Sequence, residues 1–119
     1  MISLTKLIKS LTHAWHGLAE VWQHEHSFRI HIAAFIVLLV AIIGLGIKGT
    51  EAAVLILVAA SVIVLELANS VVERVLDIVA PRVGEQVHDA KDIMAAAVLV
   101  ASLFAVAIGA IIIIPHLKF

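Results

Sequence analysis

Polar and apolar positions along this chain follow two regimes. Over residues 3–24 they repeat with a helical period. Leu4, Leu7, Ile8, Leu11, Trp15, Leu18 and Trp22 share one face at 100° per residue, and Lys6, Lys9, His13, His16, Glu20 and His24 share the other. That pattern predicts an amphipathic helix over about 3–26, with two Trp on its apolar face and two Lys on its polar face, a composition suited to the membrane interface. The periodicity then gives way to three long apolar runs. Residues 32–47 carry no charge before Lys48, and with Phe28 as their start they give about 20 residues, enough to cross a hydrocarbon core of roughly 30 Å at 1.5 Å per residue. Residues 52–65 are broken only by Ser61 and continue into a run that mixes apolar and carboxylate side chains. Residues 93–114 hold only Ser102 and Gly109 as non-hydrophobic members, and Pro115 ends them.

These runs predict an all-α membrane protein of one domain. A surface helix over about 3–26 is followed by spans over about 28–48, 51–77 and 92–114, with a polar turn at Lys48-Gly49-Thr50-Glu51 and a loop over 78–91. Composition agrees. Of 119 residues 63% are hydrophobic and 14% charged, too few charges to coat a small soluble monomer, where about 25% is usual. The absence of Cys excludes disulfides, thiolate zinc sites, iron–sulfur clusters and thiol catalysis. A net charge of −1 gives no case for nucleic-acid binding. The first apolar run begins some 30 residues in, behind a patterned helix, which argues against a signal peptide. Lys6, Lys9, Arg29, Arg74, Arg82 and Lys91 fall on one side of the predicted spans, and Lys48 and Lys118 on the other. Six basic residues against two place the N-terminus and the 78–91 loop in the cytoplasm.

Against so few charges, three constellations stand out. Glu66, Asn69, Ser70, Glu73 and Asp77 follow at +3, +4, +7 and +11, one narrow stripe on a helix that begins inside the second span. An ionisable side chain at membrane depth costs several kcal/mol and is a functional hypothesis by default. Glu66 has no Lys or Arg within a turn, so Asn69 and Ser70 are its expected neighbours, and a carboxylate kept from water suits a general base. The plainer reading of Asn69 and Ser70 is that they hydrogen-bond the spans together. Glu25, if the first helix continues through it, lies at the edge of the apolar face and can meet Glu73 at similar depth. Two carboxylates with open coordination suit Mg²⁺ also held by nucleotide phosphates, and the plainer alternative is an i,i+4 pair between Glu25 and Arg29. His88-Asp89-Ala90-Lys91-Asp92 opens the third span: Asp92 suits a helix N-terminus and Lys91 is a free cation, either for phosphate or for topology. The seven His form no zinc pattern and read as interfacial polar residues. No Gly-rich phosphate loop is present.

The run Glu66-Leu67-Ala68-Asn69-Ser70-Val71-Val72-Glu73-Arg74-Val75-Leu76-Asp77 resembles the E-x-x-N-[ST]-x-x-E-x-x-x-D signature of the prokaryotic diacylglycerol kinase / undecaprenol kinase family. Ala14-Trp15-His16-Gly17-Leu18, the run from Glu25 through Phe28-Arg29-Ile30-His31, and Ala90-Lys91-Asp92 resemble it in the same order and spacing. The resemblance implies a homotrimeric membrane lipid kinase with composite sites between subunits, moving the γ-phosphate of MgATP to a lipid hydroxyl at the bacterial cytoplasmic (inner) membrane. It implies Glu66 as catalytic base and Glu25 and Glu73 as holders of Mg²⁺ and ATP. Asp77, Lys91, Asp92, Lys6 and His13 would serve nucleotide binding, and Asn69, Ser70, Trp15 and Arg29 the lipid side. Ala68, Val71 and His88 depart from the family pattern, and His31 resembles the undecaprenol-kinase branch. A small transporter or channel using Glu66 as its ion or proton site is the alternative, though ion translocation gives no reason for the carboxylate–Lys cluster at one end.

Overall fold

The computed structural model describes residues 3–79 and 84–117, and within them the chain is helical without a strand. Four helices follow in order: α1 (Leu4–His24), α2 (His26–Leu45), α3 (Gly49–Val79) and α4 (Glu85–Ile113), the last closed by a 3₁₀ turn over Ile114–His116. α2, α3 and α4 are each long and apolar enough to cross a membrane. They also leave large apolar side chains bare: Ile43 is 81% exposed, Ile111 73% and Phe104 63%. Only lipid or another apolar surface would cover so much hydrocarbon, and a helix satisfies its own backbone there. The chain is a multi-pass membrane protein.

Several boundaries differ from the sequence reading. α1 stops at His24. Glu25 is extended (φ −115°, ψ 106°), so it forms the hinge between α1 and α2 instead of continuing the amphipathic face. The second turn comes earlier than the expected Lys48–Glu51 link, because Gly46 (φ 68°) closes α2 in the left-handed region with its N–H on the carbonyls of Ile42 and Ile43. Gly49 (φ 63°), placed in the link by its composition, already begins α3. Residues 85–91, expected in a loop, form the first two turns of α4. Asp92 therefore lies inside that helix, and Gly84 is its N-cap. Pro115 does not end the helical path. It sits at the start of the 3₁₀ turn, where its missing N–H has no bond to lose. The topology charges Arg82 and Lys118 lie outside the described residues.

α3 is the central element, packed on α2 on one side and on α4 on the other, while α1 leans on the start of α2. The two ends of this bundle differ in kind. At the α2–α3 turn, Ile42, Ile47 and Leu55 form an apolar core backed by Leu38, Ala52 and Ile112. At the α1 end the buried side chains of α3 are polar: Glu66, Asn69 and Ser70 are the buried polar residues among those described.

Candidate functional site: a carboxylate cluster at the α1 end

The stripe predicted on α3 is a real face of that helix, and its upper half is closed off from the surroundings. Glu66 is 4% exposed, Asn69 8% and Ser70 1%. Ser70 donates its Oγ–H to the carbonyl of Glu66 at 3.2 Å, so it is satisfied within its own helix and leaves a small surface for packing. Asn69 donates from Nδ2 to Glu73 Oε1 at 3.3 Å, while its Oδ1 is buried without a partner. An orphaned buried acceptor costs about 1–3 kcal/mol and marks a position a donor would fill.

Neither Asn69 nor Ser70 is the partner of the Glu66 carboxylate, contrary to expectation. That partner comes from α2: His31 Nε2 lies 3.7 Å from Glu66 Oε2, with side-chain exposures of 24% and 5%. By composition His31 reads with the interfacial histidines, and by resemblance it bears on which lipid is used, but neither pairs it with Glu66. The signal that would have found it is register. Phe28, His31, Phe35, Leu38 and Ile42 follow at +3, +4, +3 and +4, which places His31 on the α2 face that packs against α3.

Glu25 does not pair with Arg29 through its side chain. The break at the hinge removes the regular i,i+4 side-chain geometry. Arg29 is exposed and gives only its backbone N–H to the Glu25 carbonyl, at 3.4 Å. The Glu25 carboxylate instead lies 3.9 Å from Arg74 on α3. Glu73 lies two turns along α3 from Glu66 and accepts from Asn69, and Glu25 lies against Arg74 of the same helix, so three carboxylates from the hinge and α3 share one end of the bundle. Among the described residues no group of three or more His, Asp or Glu side chains is arranged to hold a metal by itself. Two hard carboxylates such as Glu25 and Glu73 would leave most of a cation's coordination to phosphate oxygens and water, which is how Mg²⁺ is commonly held with a nucleotide.

Lys91 is not free. Its Nζ donates to Asp77 Oδ1 at 2.7 Å, across the α3–α4 contact. Asp92, next in sequence, turns about 100° around the helix and faces His88 at 3.6 Å on an exposed surface. Lys91 and Asp92 therefore point to different sides. Lys6, His13 and Trp15 are exposed on α1. At 1.5 Å per residue Lys6 and His13 stand roughly 28 and 18 Å along the helix from the Glu25 hinge, away from the cluster of their own chain, whereas Trp15 shares a cleft with Phe28 and Ile32 at the start of α2.

Two apolar cavities flank the cluster. A groove of about 330 Å³ runs between α2, α3 and α4, lined by His31, Phe35 and Leu38, by Val58 and Val62, and by Val106. A cleft of about 460 Å³ lies between α1 and α2, walled by Trp15, Trp22 and Phe28.

A small polytopic helical membrane protein with a buried carboxylate, acidic neighbours and an apolar groove beside them belongs to the class in which lipid and polar chemistry meet at one end of a bundle. The profile of the family described as Prokaryotic diacylglycerol kinase matches residues 12–113, and the chain belongs to that family. It is similar to a diacylglycerol kinase of Synechocystis sp., 34% identical over 93% of this chain and 64% of the relative, just under two thirds of that protein's length. It is 32% identical to a diacylglycerol kinase of Escherichia coli K12 over 94% of this chain and 92% of the relative. To an undecaprenol kinase of Bacillus subtilis it is 29% identical over 96% of this chain and 93% of the relative. The family is therefore one of lipid kinases.

Proposed function

We propose that this chain transfers the γ-phosphate of MgATP to the hydroxyl of a membrane lipid, with diacylglycerol and undecaprenol as the candidate acceptors. The observation that carries the reading is the buried Glu66 carboxylate, with Glu25 and Glu73 at the same end of the bundle and an apolar groove that ends one turn away on α3. In the step, Glu66 takes the proton of the lipid hydroxyl as its oxygen bonds to the γ-phosphorus. The bond from that phosphorus to the β–γ bridging oxygen breaks, and ADP leaves. Glu25 and Glu73 would hold Mg²⁺, which neutralises phosphate charge. Lys91, steadied by Asp77, would serve the phosphates as a point charge. Most of the rate then comes from positioning and electrostatics.

The same reading orients the α1 end toward the cytoplasm, where ATP is, in the inner membrane of a bacterium. It takes the functional unit to be a homotrimer. Lys6 and His13, distant from their own chain's cluster, would reach a site only on a neighbouring subunit. The test uses detergent-solubilised protein with labelled MgATP and either undecaprenol or diacylglycerol, side by side. Label on one or both lipids is expected, and label on neither refutes the reading and favours the ion-site alternative for Glu66.

A further inference from the structure

His31 interrupts an otherwise apolar face of α2 made by Phe28, Phe35, Leu38 and Ile42, and its side chain is three-quarters buried. A buried imidazole needs a polar partner. The partner is Glu66, and among the described residues His31 is also the one side chain within ion-pair distance of that carboxylate. Glu25 and Glu73 are engaged elsewhere, by Arg74 and Asn69.

His31 also lines the mouth of the 330 Å³ groove. The groove extends from His31 to Leu38, roughly 10 Å along α2 at 1.5 Å per residue, toward the α2–α3 turn. On α3 its lining ends at Val62, one turn short of Glu66. An alcohol whose hydroxyl meets Glu66 thus has a path for its hydrocarbon chain directly beyond His31.

We propose that His31 is the positioning residue for Glu66: its imidazole, at ion-pair distance from Oε2, holds the carboxylate at the head of the groove in which the acceptor lipid's chain lies. The proposal rests on the kinase reading above. The 3.7 Å contact is attractive when Nε2 carries a proton. His31 does not touch the γ-phosphate and adds nothing to ATP binding, so its loss moves turnover and lipid use without moving the KM for ATP.

The experiment compares wild type, His31→Leu and His31→Gln in MgATP-dependent lipid phosphorylation, with elution profile and Tm recorded for each. Leu keeps the apolar lining without a donor, and Gln keeps an N–H. His31→Leu should lose about 10-fold in kcat, less than a full hydrogen bond to a charged group would give, with the KM for ATP unchanged. His31→Gln should recover to within about 3-fold of wild type. Wild-type kcat in His31→Leu overturns the proposal, as does a His31→Gln variant as slow as His31→Leu. If His31→Leu does not fold, His31→Met against His31→Gln makes the same comparison. A wild type that labels no lipid refutes the kinase reading itself, and that failure shows in the wild-type arm alone.

Discussion

Glu66 and its neighbours show how far a spacing argument reaches. The stripe Glu66, Asn69, Ser70, Glu73 and Asp77 is legible from +3, +4, +7 and +11 because a single helix fixes those directions. Which side chain answers each carboxylate was not, because His31, Arg74 and Lys91 arrive from other positions in space. Two expectations follow at this scale. Replacing Glu66 by Gln keeps the shape and removes the base, so kcat for lipid phosphorylation should fall about 10²- to 10⁴-fold while the protein stays folded by Tm. Turnover within a few-fold of wild type would remove Glu66 from the base role. Lys91→Met should raise the KM for ATP about 10-fold through a lost phosphate contact, with a smaller rise for Asp77→Asn, which frees Lys91 without deleting it. Equal KM values in all three proteins would assign the Asp77–Lys91 pair to helix packing only.

At the scale of elements, period and run length gave the four helices, and backbone detail set their limits. The hinge at Glu25 carries no Gly or Pro to announce it; the helix breaks at a carboxylate between two His. At Gly46 the signal was present, a Gly after the last apolar turn, and its φ of 68° explains the residue type. Gly46→Ala places a Cβ in the left-handed region. It should lower stability by roughly 1–2 kcal/mol, read as a fall in Tm in detergent, with little change in kcat, because the turn lies at the opposite end from Glu66. Ser70 makes the complementary case. At 1% exposure there is no room for growth, and Ser70→Leu should cost about 1–3 kcal/mol by overpacking and distort the backbone that carries Glu66. Stability and activity should fall together there, whereas Gly46→Ala separates them.

For the molecule as a whole, the bundle presents far more hydrocarbon than it buries. Val98 is the buried residue of α4, and Leu103, Phe104 and Val106 of that helix are each more than 60% exposed. Lipid covers such a face, and in a homotrimer neighbouring helices would share the task. If Lys6 serves a neighbouring subunit's site, Glu66→Gln and Lys6→Met subunits, each impaired alone, should regain activity when mixed. Native mass spectrometry of the mixture gives the oligomer size and the extent of exchange. Confirmed mixed trimers with no regained turnover would remove Lys6 from the neighbouring subunit's site.

The sequence by itself determined the class of this protein. Too few charges to coat a soluble fold and three apolar runs of sufficient length leave helices in a membrane as the physical solution, because backbone polar groups in hydrocarbon must bond within their own segment. It also determined which carboxylates share a helix face, since helical geometry is local. Only the tertiary structure decided that Glu25 is a hinge, that Lys91 is held by Asp77, and that His31 stands against Glu66. Those facts depend on how α2, α3 and α4 are rotated and offset against one another, and that rotation is set by the packing of many weak apolar contacts rather than by any one spacing.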